Sequence, residues 1–216
     1  MSDSLNRSLR TALAQLRSED VRTQNKGVEA ITRIGAAAVP ELLPLLDDKS
    51  AGLRAQTMYA LAQIAVPEAA EAFQHGLHDT DERVRAYAAT GLARIAHDEA
   101  LSACIRTLND APDEMHLDIT PSVHALGEMG MRAVPPLLDL MLHDDEMTRL
   151  HAQRALELII SRRFGFQPGQ GFPTKENEEQ SRATWLANGD YDYAADAANR
   201  AAAVEKWRHW LASTEE

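Results

Sequence analysis

Aromatic side chains are scarce, at 5% of the 216 residues. A core must therefore be packed from Ala and Leu at short interhelical distances, which favours an all-α fold. Cysteine occurs once, as Cys104; an internal disulfide is excluded and a reducing compartment fits, an intermolecular bridge being the minor exception. No stretch approaches 18 consecutive apolar residues, so no membrane-spanning helix is expected. The opening MSDSLNRSLR lacks the apolar core of a signal peptide, and the expected location is cytoplasmic. Cations are in deficit too. With 22 Lys and Arg against 33 Asp and Glu, the net charge is −11, which disfavours a phosphate-tracking surface and with it nucleic acid as a partner.

Catalytic signatures are also missing. There is no GxSxG and no Cys–His pairing signal. The glycine-rich segment FGFQPGQGFP (164–173) has its glycines in a GxxxGxG order, with no Lys-Ser/Thr and no preceding strand, so it reads as a linker rather than a phosphate cradle. No catalytic residue and no cofactor is assigned.

What is present is a repeat. Second helices end in LLDD, LHD, LND and LHD, with leucines at Leu46, Leu77, Leu108 and Leu142, at intervals of 31, 31 and 34 residues. First helices align as EAITRIG, YALAQIA, TGLARIA, HALGEMG and RALELII around Ile31, Leu61, Leu92, Leu126 and Leu156. A period near 30 with helix–turn–helix content predicts a solenoid in which each hairpin buries its apolar stripe against the next. The most regular copy is Thr80 to Asp110, two short helices broken near Ala96 to Glu99. Stacking the second helices gives two expected core columns, Leu42, Phe73, Cys104 and Leu138, and, one turn earlier, Val39, Ala70, Leu101 and Pro135. Cys104 is thereby expected to be a small core residue rather than a nucleophile. Pro40, Pro67 and Pro135 fall near second-helix starts, where the missing N–H matters least. Ahead of the array, Leu5, Leu9, Leu13 and Leu16 form one stripe of an amphipathic helix from Ser4 to Arg17 that would cap it.

These motifs resemble HEAT repeats, and more narrowly the short bacterial type called phycobilisome-lyase-like, over about residues 20 to 163. The resemblance implies a ladder between repeats, made by an aspartate after each second helix and a cation six residues on. Asp48 with Arg54 and Asp79 with Arg85 match that spacing; Asp110 is followed six on by His116, and Asp144 has Arg149 five on. His116 has two readings, an exposed loop histidine or a rung that pairs with Asp110 when protonated. Members of this type resemble subunits of bilin lyases, which implies a tetrapyrrole role as an alternative to protein binding; HEAT-like DNA-repair proteins are a further, more distant alternative, disfavoured by the charge. Deoxyhypusine hydroxylase resembles this fold as well, but its His-Glu dyads are absent here, where His78, His97 and His143 are each followed by Asp.

His75 and His78 stand at i and i+3, close enough to share an ion, yet no second ligand pair repeats the spacing and no metal site is assigned. Paired acids such as Asp47 and Asp48, or Asp144 and Asp145, recur at turns, where Asp caps the following helix.

After Arg163 the composition changes. Eight of the eleven aromatic residues lie beyond it, in the linker, a helix from about Glu176 to Ala187, a turn at NGDYD and a final helix from about Ala194 to Ala212. The FG at Phe164 and Gly165, with RAAAVEKWRHW at 200–210, is similar to a tail of some bacterial HEAT-like proteins. Two readings stay open for Phe164, Phe166, Trp185, Trp207 and Trp210: a cap over the last repeat, or an aromatic partner surface.

The expectation is thus an all-α chain: a right-handed α-solenoid (superhelix) of about five HEAT-like helical hairpins over residues 20–163. A capping helix at 1–19 and aromatic capping helices at 164–216 would flank it. Its expected function is non-catalytic binding of another protein, as a scaffold or adaptor, on a concave second-helix face. Glu41, Glu71, Gln74, His75, Ser102, Arg106 and Asp139 are placed there as the polar neighbours of the core columns.

Overall fold

The structure, a computed structural model, describes residues 3–214. They fall into two compact units divided between Ala111 and Pro112. Both are helical, and among the described residues the β-type pairing is confined to one isolated bridge between Gln167 and Gly171. The all-α class and the repeated hairpins of the α-solenoid type are as the sequence predicts.

The first unit runs α1 (Asp3–Leu16), α2 (Val21–Ile34), α3 (Val39–Leu42), α4 (Ala51–Ile64), α5 (Ala70–Gly76), α6 (Glu82–Arg94) and α7 (Ala100–Arg106). Helices α2, α4 and α6 are the first helices of successive hairpins, α3, α5 and α7 the second. Helix α1 packs on α2, α2 on α4 and α4 on α6. Helix α1 comes close because Gly27 faces it: a Cβ there would lie 2.7 Å from the Leu16 backbone nitrogen. Each first helix starts at a side-chain cap. The Asp20 carboxylate accepts from the Thr23 amide, the Ser50 hydroxyl from Leu53 and the Asp81 carboxylate from Arg83, each satisfying an amide that the helix leaves open. Each ends on a left-handed residue, Gly35, Ala65 or Ala96, the last letter of the aligned segments above.

The second unit holds α8 (Pro121–Met129), α9 (Val134–Leu140), α10 (Glu146–Arg163), α11 (Lys175–Ala187) and α12 (Ala197–Thr214). Helices α8 and α9 form a hairpin packed on α10; α11 also packs on α10, and α12 lies against α9. Helix α12 begins three residues later than the sequence predicts because Asp196 caps it, accepting from the Asn199 amide at 2.9 Å. Ala194 and Ala195 belong to the turn before it.

The anchors Ile31, Leu61, Leu92, Leu126 and Leu156 are all fully buried, and so, within a per cent, are Leu42, Phe73, Cys104 and Leu138. The second expected column is a correction. Val39 is buried, but Ala70 and Leu101 are half-exposed and Pro135 is exposed; the interior positions are Ala38, Ala69, Ala100 and Val134. They lie four residues before the first column rather than three, where the α-helical repeat of 3.6 brings the side chain closer to the same face.

The ladder forms, with the aspartate and arginine of each rung connected differently from their spacing. Arg54 donates through Nη1 to the Asp48 carbonyl at 2.9 Å, while Nε and Nη2 grip the Asp79 carboxylate at 2.8 Å each. Arg85 repeats this on the Asp79 carbonyl and the Asp110 carboxylate. In the second unit Arg149 donates to the carbonyls of His143 and Asp144 at 2.9 and 2.7 Å. It therefore occupies the same place, six residues after His143, and His143 rather than Asp144 stands in the aspartate column. Its Nδ1 accepts from the Asp145 amide at 3.0 Å, as the carboxylates of Asp48 and Asp79 accept from the residues two on.

His116 is no rung. The Asp110 carboxylate is taken by Arg85, and the exposed His116 ring lies 3.4 Å from Asp113. Counting back from the core leucine, the arginine position of this repeat is Ile119, because the connection is three residues longer. That connection closes on itself through Asp113 N to Ile119 O at 2.9 Å and Ile119 N to His116 O at 2.9 Å. The Met115 amide, followed by that of His116, holds the Asp113 carboxyl below its ordinary value.

Candidate functional site

The predicted binding residues of the first unit sit on the solvent side of the short second helices. Glu41, Glu71, His75, Ser102 and Arg106 are exposed and Gln74 is half-buried. Glu71 and Ser102, and likewise His75 and Arg106, stand one repeat of 31 residues apart on α5 and α7. They form two short polar rows directly outside the Phe73–Cys104 core column. Glu41 falls out of these rows. Helix α3 spans only Val39–Leu42 between the 3₁₀ turns Gly35–Ala38 and Leu43–Asp47, and the tighter winding rotates its side chains. Its counterparts one and two repeats on are Ala72 and the buried Ala103.

His75 and His78 do not share their neighbour Asp79, whose carboxylate is held by Arg54. Among the described residues no group of three or more His, Cys, Asp or Glu side chains converges as a metal site would. No described helix is long and apolar enough to cross a membrane.

Asp139, the predicted member in the second unit, is already engaged. Arg208 of α12 donates to it at 2.9 Å, so the helix that lies on α9 also claims its exposed carboxylate.

The aromatic residues of the tail part into two groups. The first is interior. Trp207, for which the sequence leaves a cap and a surface role both open, is fully buried with Val204, and its ring packs between Trp185 and Trp210 with centroids 5.2 Å from each. Arg163 stands over the Trp210 ring at 5.5 Å, a cation–π contact. Tyr191 is 3% exposed and donates to the Met141 carbonyl at 2.5 Å; its desolvated phenol is pushed up to about 12. The Tyr193 carbonyl accepts from Arg149 Nε at 2.9 Å, in the place that the next repeat's aspartate takes on Arg54 and Arg85. This turn thus completes the last rung with a backbone oxygen.

The second group lines a cleft of about 510 Å³ walled by α10, the 164–173 segment and α11. Of the five tail aromatics with two open readings, Phe166 and Trp185 line it and Phe164, Trp207 and Trp210 do not. Sequence reasoning missed the rest of the lining, including Phe172, Leu158, Leu186, Glu178, Arg182 and Asp190. The one signal available was Leu186 beside Trp185 on a helix otherwise made of polar residues and alanine.

The segment read as a linker is a built turn. Gln167 and Gly171 exchange amide–carbonyl bonds at 3.0 and 2.9 Å, and the Phe166 amide donates to the Ser161 carbonyl at 3.1 Å. Gly165, Gly169 and Gly171 are all left-handed. The turn sets the Phe166 and Phe172 rings 5.2 Å apart.

Solved structures similar to the chain include two engineered proteins. One is 20% identical over 99% of this chain and 100% of its own, with a TM-score of 0.45; the other is 19% identical over 98% of each, with a TM-score of 0.44. A computationally designed armadillo repeat protein for modular peptide recognition is 22% identical over 92% of this chain and 99% of its own, with a TM-score of 0.41. No curated protein matches the sequence. A profile for HEAT repeats matches residues 9–86 and again 71–157, spans that take in the anchors from Ile31 to Leu156 and the arginines at 54, 85 and 149. On that match, which covers well over half of its length, the chain belongs to the HEAT-repeat family.

Proposed function

We propose that the chain is a non-catalytic binding module that takes another protein on the exposed side of its second helices. What supports this most is the register of Glu71 with Ser102 and of His75 with Arg106. A repeat that buries one stripe per helix leaves the opposite stripe in matching rows, and a partner meets several of them at once without any hairpin moving. The rows carry Glu, Ser, His and Arg on helices whose other face is anchored by fully buried residues, so substitutions there leave the core untouched.

The test is capture from the native organism with the wild-type chain, a variant carrying Glu71→Arg, His75→Glu, Ser102→Arg and Arg106→Glu, and a control carrying Glu29→Arg on the exposed side of α2. A partner held by wild type and control and lost with the four-residue variant, at unchanged thermal midpoint, is the expected result. Equal capture by the four-residue variant would remove the second-helix rows from the binding surface.

A further inference from the structure

We propose that the cleft between α10, the 164–173 turn and α11 is a separate binding site, for a short basic peptide segment that inserts one large apolar side chain against Phe166, Phe172 and Trp185. Its volume of about 510 Å³ lies within the range typical of ligand sites, about 300–1,000 Å³. That is room for a bulky side chain and the backbone flanking it.

Capping the repeat does not account for these residues. The interior of the tail is already supplied by Trp207, Val204 and Tyr191, all buried, and the last arginine rung is closed by the Tyr193 carbonyl. Phe166, Phe172 and Trp185 remain half-exposed, and Leu186 is 50% exposed. They line the cleft without being needed behind it. The walls are nevertheless held in place. Phe166 and Phe172 sit on either side of the Gln167–Gly171 bridge, and Trp185 is backed by the fully buried Trp207 ring. A preformed apolar floor avoids part of the ordering cost that weakens association.

Charge selects the occupant. Arg154, at one edge, is neutralised by Asp118 and Glu157. Among the described residues Glu178, Asp190 and Arg182 carry no ion pair, which leaves two free carboxylates against one free guanidinium on the rim of a chain of net charge −11. That field attracts Lys or Arg flanking an apolar anchor.

Titration calorimetry of the full chain with three acetylated tetrapeptides, KFRK, EFDE and KARK, tests this. KFRK is expected to saturate with a dissociation constant below about 1 mM, and the acidic and alanine peptides to bind about tenfold more weakly or less. Glu178→Gln with Asp190→Asn should weaken KFRK about tenfold, raising the salt sensitivity of neither fold nor midpoint, and Leu186→Ser should do the same through the apolar floor. Both changes fall on exposed residues, so an unchanged melting midpoint certifies folding. The proposal is overturned if KFRK fails to saturate at about 1 mM, if EFDE binds as well as KFRK, or if both variants bind like wild type. It is also overturned if sedimentation shows a dimer that Leu186→Ser dissociates, since a second copy of this chain would then fill the cleft.

Discussion

Arg54 and Asp79, twenty-five residues apart in the chain, meet as a two-pronged ion pair with both donor–acceptor distances at 2.8 Å, and the third guanidinium nitrogen reaches back to the Asp48 carbonyl. One arginine thereby joins the end of one hairpin to the end of the next. Both side chains are 14% exposed, so the pair is better screened from water than an ordinary surface bridge, whose worth is about 0–1 kcal/mol. Two charge-assisted bonds in fixed fork geometry place it above that range.

Asp79→Asn is expected to destabilise the chain by about 1.5–3 kcal/mol, read from chemical denaturation. The hydrogen bonds from Arg54 hold the Asp79 carboxyl below its ordinary value of 3.8. A folded pKa below the unfolded one contributes stability that is present above the unfolded value and lost as pH falls through it toward the folded value. The variant should accordingly show a shallower loss of stability below about pH 4 than the parent. Identical acid limbs for the two proteins would show that Asp79 contributes nothing to the acid response.

Gly91 faces Phe73 across the α5–α6 contact so closely that a Cβ would lie 2.3 Å from Cε1 of the ring. Two effects oppose each other in Gly91→Ala. Helix propensity favours Ala by about 1 kcal/mol, and overpacking costs about 1–3 kcal/mol. Phe73 is fully buried and has no solvent to yield into, so overpacking should prevail and lower the midpoint. Phe73→Leu opens that space, and in its background Gly91→Ala should be neutral or stabilising. Additive effects of the two substitutions would refute the steric account.

Particular residues show where the sequence was legible. Ile31, Leu61, Leu92, Leu126 and Leu156 could be read as core because the repeat period carries them, and each is fully buried. The column slip from Ala69 to Ala70 arose because i−3 and i−4 are nearly equivalent on a helix, and only packing decides between them. His143 went unread as the stand-in for a ladder aspartate because its role depends on a backbone amide, that of Asp145. Of the two readings of His116, the exposed loop histidine is the one that holds, because three extra residues shift every count made forward from Asp110. Beyond Phe166 and Trp185, the cleft is not legible in the sequence for another reason. Leu158, Phe172, Glu178 and Leu186 come from three segments that share no period, and only the turn at Gln167–Gly171 brings them together. Of the seven second-helix residues singled out, six are exposed and Gln74 is half-buried, and one of the exposed six, Asp139, is taken by Arg208.

Trp207 is fully buried, yet its Nε1 meets no hydrogen-bond acceptor among the described residues. Leaving a buried donor unmet costs about 1–3 kcal/mol. Trp207→Phe removes that donor while keeping most of the ring, and the gain should offset the smaller packed volume. The variant should fall within about 1 kcal/mol of the parent, whereas Trp207→Ala should cost about 3–5 kcal/mol. If Phe proved as damaging as Ala, the indole N–H would have to be partnered, and the reading of this site would be wrong.

Tyr191 supplies the alkaline counterpart of Asp79. Its hydroxyl donates to the Met141 carbonyl from a desolvated position, and its pKa is pushed up to about 12 from an unfolded value of about 10. In that window the unfolded chain gives up the phenol proton and the folded chain keeps it, so the unfolded state binds fewer protons and stability falls as pH rises. The stabilisation is complete below about pH 10 and is lost on the way to about pH 12. Tyr191→Phe should cost about 1 kcal/mol at neutral pH through the missing hydrogen bond. Because phenylalanine does not titrate, the difference between parent and variant should shrink and then reverse in sign as the buffer is taken above pH 10. Parallel stability curves across that range would show that the Tyr191 phenol ionises as freely in the folded chain as in the unfolded one, and the turn that closes the last rung would then be open to solvent.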